Sequence, residues 1–205
     1  MKIDKEQIKS LDWAKGDGLL PAVVQHAVDG RVLMLGYMNA EALDKTLDCG
    51  RVTFFSRSKQ RLWTKGESSG HVLELVSAAG DCDRDTLLIQ ALPHGPTCHL
   101  GTPTCFGDAM RPPLGLLAEL ESVIQSRRGS EPDSSYTARL LGEGLARCAQ
   151  KVGEEGVEVA LAAVQGKRDE LHSEAADLLY HLLVCLASAD SSLDDVLKVL
   201  AERRR

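Results

Sequence analysis

The sequence predicts two domains of different class: an α+β domain with a β-rich core over residues 1–111, and an all-α helical bundle over residues 112–205. Three observations carry this division. Short runs rich in β-branched and aromatic residues fill the stretch from Pro21 to Leu92 and then stop. Pro112-Pro113 is a stiff break that no helix interior tolerates. Beyond it, apolar residues recur three and four positions apart, the period of amphipathic helices.

In chain order, Ala22–Val28 and Arg31–Met38 read as strands separated by Asp29-Gly30, a strong hairpin signal. Asn39 is placed to cap a short helix, Glu41–Cys49, that Gly50 terminates. Val52–Ser56, His71–Ala78 and Thr86–Leu92 read as further strands. The polar, basic, glycine-containing stretch Ser56–Gly70 reads as a loop. After the prolines, Leu114, Leu117, Leu120, Val123 and Ile124 keep helical spacing, and Leu140, Leu141 and Leu145 continue it. Val152, Val157, Val159, Ala160, Leu161 and Val164 follow, with Lys151–Glu158 read as a helix start. The apolar series from Leu171 to Leu186 predicts the longest helix, and Leu193, Val196, Leu197 and Leu200 the last. Gly166 and Ser191-Ser192 punctuate them. Arg203-Arg204-Arg205 reads as a solvated helix end favoured by the macrodipole.

Composition narrows the function. With 43% hydrophobic and 26% charged residues, the 205-residue chain is globular rather than disordered. A net charge of −6 argues against a general nucleic-acid surface, so anionic substrates must be held by local Arg and Lys or through metal ions. The start, Met1 to Glu6, is charged and lacks the apolar core of a signal peptide. The longest apolar run, Leu178–Ala187, is broken by His181 and is too short to span a membrane. A cytoplasmic, thiol-reducing location is expected, where clustered cysteines bind metal or act in catalysis more often than they pair. Each half has a modest core, so oligomerisation is a natural source of further burial.

Asp81-Cys82-Asp83-Arg84-Asp85, followed by Cys98-His99 and Cys105, crowds three thiols and three carboxylates into a short span. Thiolates favour zinc and carboxylates favour magnesium-like ions. Three cysteines are one short of a closed structural zinc site, and a catalytic zinc keeps a position for water. The plainer reading makes each cysteine a small core residue, which suits Cys49, Cys148 and Cys185 inside periodic patterns. It suits Cys98 and Cys105 less, because their segment is dense in Gly, Pro and Thr. In a strand, Asp81, Asp83 and Asp85 would share one face and repel unless a cation joins them. A solvated turn is the alternative. A calcium loop is disfavoured because Thr86 stands where glycine is required.

The segments Met34–Asn39, Phe54–Ser58, Leu62–His71, Asp81–Asp85 and Gly95–His99 together resemble phosphoribosyl-AMP cyclohydrolase of histidine biosynthesis, from about Trp13 to Phe106. The resemblance implies hydrolytic opening of the adenine ring at its N1–C6 bond. It implies zinc held by Cys82, Cys98 and Cys105, drawn from both subunits of a homodimer, and magnesium held by Asp81, Asp83 and Asp85. His99, beside a ligand position, is the candidate acid–base residue; its alternative role is to orient a ligand. Arg57, Lys65 and the Gly66–Gly70 loop, with Ser68, Ser69 and Gly70, are candidates for substrate phosphate. An ordinary basic surface loop is the simpler reading, especially for Lys59 and Arg61. Trp63 is read as core or as a platform for the purine.

The second cluster lies on helices. Glu154 and Glu155 lie four and three positions before Glu158, and Glu174 lies three before Asp177 on the next helix. Solvated faces are the usual reading of such acids. Here the acids border apolar stripes, and inward carboxylates on neighbouring helices are how bundles build metal sites. The Glu-Glu-x-x-Glu and Glu-x-x-Asp pattern resembles the all-α MazG-like nucleotide pyrophosphohydrolases. With Ser135-Tyr136-Thr137 and Ala176–His181 it is similar to phosphoribosyl-ATP pyrophosphatase, from about Leu114 to the last helix. That resemblance implies hydrolysis of phosphoribosyl-ATP to phosphoribosyl-AMP and pyrophosphate, with magnesium on Glu154, Glu155, Glu158, Glu174 and Asp177. Glu155 or Glu158 is the alternative base, and Lys151 and Arg139 are candidates for the triphosphate. His181 reads as a packing or orienting residue. A rival of another class is a zinc-stabilised dimeric binding module fused to a helical interaction domain.

Overall fold

A computed structural model of the chain describes residues 2–107 and 112–204, so Arg205 of the terminal basic run lies outside the described residues. The chain divides into two compact units, one ending at Leu116 and the next beginning at Leu117.

The N-terminal unit is built on a four-stranded sheet of order β2-β1-β6-β5, from β1 Leu20–His26, β2 Val32–Met38, β5 Leu73–Gly80 and β6 Leu87–Pro93. β1 pairs antiparallel with β2 and parallel with β6, and β5 runs antiparallel to β6. Alternation explains the layering: Leu20, Ala22 and Val24 of β1 and Leu87, Ile89 and Ala91 of β6 are buried on one face. On the other face Leu35, Val23 and Leu88 stand side by side in register, with Leu35 and Leu88 exposed. Helix α1, Ala40–Cys49, begins where the Asn39 side chain accepts from the Ala42 N–H at 2.8 Å and ends at Gly50. It buries Ala42, Leu43 and Thr46. The Thr46 hydroxyl accepts from the Thr53 N–H at 2.9 Å and so ties α1 to the next strand.

Several sequence expectations change here. Ser56–Gly70 contains a strand, β4 Arg61–Thr64, which pairs with β3 Thr53–Ser56 as a separate hairpin. Trp63 lies opposite Phe54 and stacks on it at 5.6 Å, and Leu62 lies opposite Phe55, so two apolar pairs hold the strand in place. The β1–β2 connection is wider than a two-residue turn. β1 stops at His26 because its Nδ1 accepts the Val28 and Asp29 amides at 3.2 and 3.1 Å. Cys49 is exposed rather than core, at the end of α1. Two short 3-10 helices, Glu6–Ser10 and Trp13–Gly16, precede the sheet.

The C-terminal unit is helical: α2 Gly115–Ser126, α3 Tyr136–Gly142, α4 Leu145–Val164, α5 Arg168–Ser188 and α6 Leu193–Glu202. Its core holds Ile124, Leu140, Cys148, Leu183, Val184 and Ala187. The Leu140–Leu141–Leu145 rhythm spans two helices, separated at Gly144, whose φ of 88° no helix accommodates. Lys151–Glu158 is the middle of α4 rather than a helix start. Among the described residues no helix is long and apolar enough to cross a membrane.

Candidate active sites

In the N-terminal unit a cleft of about 400 Å³ collects Trp63, Lys65, Ser68, Ser69, Cys98, His99 and Cys105. The segment after β6 supplies the sulfurs. The Cys98 and Thr102 main chains close a tight turn at 3.0 Å, and the Cys105 N–H donates to the Leu33 carbonyl of β2 at 2.8 Å. The turn points donors at Cys98. The Leu100 N–H, then the Thr102 hydroxyl, hold its thiol below the ordinary value, which favours thiolate. Burial, then the charge of Cys98, pushes the Cys105 thiol up. His99 Nδ1 lies 3.8 Å from the Cys98 sulfur and is exposed to the cleft. Lys65 is buried at 9% exposure and reaches the His71 carbonyl at 3.4 Å.

Two glycines shape this cleft. At Gly66, φ 86°, a Cβ would stand 2.6 Å from the His71 carbonyl carbon; at Gly95, φ 93°, it would stand 2.7 Å from the His71 ring. Both His71 and Gly95 belong to motifs quoted above, yet neither was singled out. The signal available in sequence was only the glycines of these motifs.

The other candidates of this unit lie elsewhere. Arg57 is exposed, with its guanidinium 3.9 Å over the Tyr37 ring. Gly70 lines a neighbouring groove with Cys49 and His94. Arg61 is paired with Glu67 at 2.5 Å. Cys82 is exposed beside the aspartates and does not line the cleft with Cys98 and Cys105.

Asp81, Asp83 and Asp85 do converge, with ligand oxygens mutually within 4.8 Å. They do so on a turn and not on a strand face. Asp81 Oδ1 accepts from the Asp85 and Thr86 amides at 3.0 and 3.2 Å, and Arg84 takes a left-handed φ of 64°. Lys15, from the second 3-10 helix, sets its ammonium 2.7 Å from Asp83 and 2.5 Å from Asp85. This bonding holds both carboxyls below the usual range.

In the C-terminal unit Glu155, Glu158 and Glu174 form the second such group, again within 4.8 Å. Glu155 is buried at 5% exposure. The negative charge of Glu155, then burial and Glu174, push the Glu158 carboxyl up. Crowding of this kind suits a hard cation. Glu154 turns away to Arg147, Gln150 and Lys151, with Lys151 holding its carboxyl down. Asp177 is exposed and is not part of the group; its carbonyl accepts from His181 Nδ1 at 2.9 Å. Lys151 bonds Glu155 at 2.6 Å, and Arg139 lies 5.5 Å from the Tyr136 ring centroid.

The donor sets differ in their fit to metal. Each carboxylate trio offers three oxygens that share one charge problem. The cleft offers two thiols, so within one chain a three-thiol zinc site is incomplete.

Comparison with known proteins gives two matches along the chain. Residues 34–107 match the family model described as phosphoribosyl-AMP cyclohydrolase, and residues 117–204 match that of phosphoribosyl-ATP pyrophosphohydrolase. Among full-length relatives, "Histidine biosynthesis bifunctional protein HisIE" of Salmonella typhimurium is 59% identical over 203 residues, covering 99% of this chain and 100% of that protein. The protein of the same name from Escherichia coli strain K12 is 57% identical with the same coverage. That from Photobacterium profundum is 57% identical over 96% of this chain and 97% of its own length.

Proposed function

Because the chain belongs to the family of bifunctional histidine-biosynthesis proteins with a cyclohydrolase and a pyrophosphohydrolase domain, we propose that its halves perform consecutive hydrolyses on one nucleotide. Residues 112–205 cleave phosphoribosyl-ATP to phosphoribosyl-AMP and pyrophosphate. Residues 1–111 then open the purine ring of that product. One observation carries the assignment of chemistry to places: each family-matched segment holds its own cluster of reactive side chains.

In the helical half, Glu155, Glu158 and Glu174 are the proposed magnesium ligands, and Glu154 and Asp177 are outside that trio. The alternative role of Glu158, whose carboxyl the crowding pushes up, is to take the proton of the attacking water instead of binding metal. Lys151 bonds Glu155 and Glu154, and Arg139 is assigned to the triphosphate. In the cleft, Lys65, Ser68 and Ser69 hold the substrate phosphate, while Arg57 and Gly70 lie outside its lining. Water oxygen bonds to C6, the N1–C6 bond breaks, and His99 carries the proton from water to N1. When bound, zinc at Cys82, Cys98 and Cys105 supplies an acidified water, and magnesium at Asp81, Asp83 and Asp85 or at the glutamates supplies counter-charge for phosphate.

The enzyme is proposed to act as a cytoplasmic homodimer. Two features support the pairing: Cys82 lies off the cleft that holds its two fellow thiols, and an apolar row crosses the open sheet face at Leu35 and Leu88.

Incubation with phosphoribosyl-ATP tests the whole reading. Pyrophosphate release is expected first, then a change in the purine ultraviolet spectrum. Glu158→Gln is expected to stop pyrophosphate release while phosphoribosyl-AMP is still opened. Cys98→Ala is expected to lose zinc and ring opening together. No turnover of either nucleotide would favour the binding-module rival, and full ring opening by a zinc-free Cys98→Ala protein would refute the cleft assignment.

A further inference from the structure

The inference rests on the reading of Glu155, Glu158 and Glu174 as the pyrophosphohydrolase site and concerns what holds Glu155 there. Glu155 Oε1 bonds Lys151 Nζ at 2.6 Å on one side. On the other it stands 3.6 Å from Nδ1 of His181, a residue buried at 6% exposure. That separation is too long for a hydrogen bond. The Nδ1 proton goes to the Asp177 carbonyl at 2.9 Å. A carbonyl only accepts, so Nδ1 carries a proton, and in the tautomer with one ring proton Nε2 is the acceptor. The Tyr136 hydroxyl donates to that nitrogen at 3.1 Å. The Tyr136 and Tyr180 rings meet the imidazole edge to face, at 6.1 and 5.0 Å between centroids. One nitrogen is therefore tied to the backbone of α5 and the other to the first residue of α3, while the ring borders a carboxylate of α4. Packing alone would be served by an apolar ring, and burying two polar nitrogens is costly unless both are bonded.

We propose that His181 is a positioning residue: the Asp177 carbonyl and the Tyr136 hydroxyl lock its tautomer and plane, and the locked ring seats Glu155 beside Glu158 and Glu174. Tyr136 matters in this arrangement through its hydroxyl, which fixes the ring from a helix that carries none of the acids.

Full-length protein carrying Tyr136→Phe, His181→Asn or His181→Leu tests this. The readouts are kcat and KM for pyrophosphate release, melting temperature, and calorimetric titration with magnesium alone, with cyclohydrolase turnover as the internal control. Asn places an N–H near Nδ1 and keeps the carbonyl bond; Leu keeps neither. Tyr136→Phe is expected to lower kcat about tenfold at unchanged KM and melting temperature. His181→Leu is expected to lower kcat and magnesium affinity by about tenfold or more, with His181→Asn recovering part of both. An unchanged kcat in Tyr136→Phe overturns the proposal. So does a His181→Asn protein no better than His181→Leu, or losses that follow melting temperature alone. Should the Leu variant not fold, Tyr136→Phe and His181→Asn decide between these outcomes. Wild-type protein that releases no pyrophosphate removes the functional reading itself; an active wild type with unaffected variants removes only the role of His181.

Discussion

His26 shows how one side chain can set both a turn and a pH response. Its Nδ1 accepts two turn amides, which requires that nitrogen to be unprotonated. Burial lowers its pKa from the ordinary 6.5; the Asp29 carboxylate pulls the other way but does not prevail, and the Arg31 charge adds to the lowering. Between the native value and 6.5 the unfolded chain binds more protons than the folded one, so stability rises with pH across that window. It is complete above 6.5 and is lost as pH falls through the lowered native value. Melting temperature followed against pH should therefore decline below about 6.5 in wild type and decline less in His26→Asn; equal slopes would sink the claim. Gly95 makes a separate prediction. Gly95→Ala forces a β-carbon toward the His71 ring at a left-handed φ, which should cost about 1–3 kcal/mol and raise the cyclohydrolase KM. Much at this scale was legible from residue type: Cys98, Cys105, His99 and Lys65 do share one cleft. Glu154 was not, since adjacent residues on a helix point about 100° apart and only partners decide which one faces inward.

Among the elements, α6 depends on its first turn. Ser192 and Asp195 form a reciprocal capping box, with Ser192 accepting from the Asp195 N–H and Asp195 from the Ser192 N–H. Ser192→Ala should destabilise the helical unit by about 1 kcal/mol, read as a fall in the melting transition assigned to that unit. The helices and the sheet strands were largely legible because period and caps agreed, as with Asn39 and Gly50 around α1. β4 escaped because Arg61, Thr64 and its polar flanks mask the short Leu62–Trp63 pair that meets Phe55 and Phe54 across the hairpin. The α3–α4 break escaped because leucines on both sides of Gly144 keep a common rhythm by coincidence of spacing. The mid-helix position of Lys151–Glu158 was obscured by Gly153 and Gly156, which weaken helix propensity without ending the helix.

For the whole molecule the two-unit division was announced by Pro112-Pro113 and the change of period around it. A site completed by a second chain is different, because no pattern within one sequence reveals which copy a side chain serves. The proposed homodimer makes that testable. Cys82→Ala and Cys98→Ala proteins, each inactive in ring opening, should regain activity when unfolded and refolded together. Random pairing gives heterodimers in which one of two sites is intact, so about a quarter of wild-type activity is expected. Recovery of none would place all three thiols in one chain or remove them from the chemistry.

Lys15 sets the conditions under which the Asp81–Asp85 turn can form. Its ammonium bridges Asp83 and Asp85, so the turn carries a tethered counter-ion of its own. A newly synthesised chain can close this turn in a medium depleted of divalent cations. The cation proposed for these acids would have to exchange with the lysine rather than simply add, so its uptake would be a competition whose strength the protein itself has set.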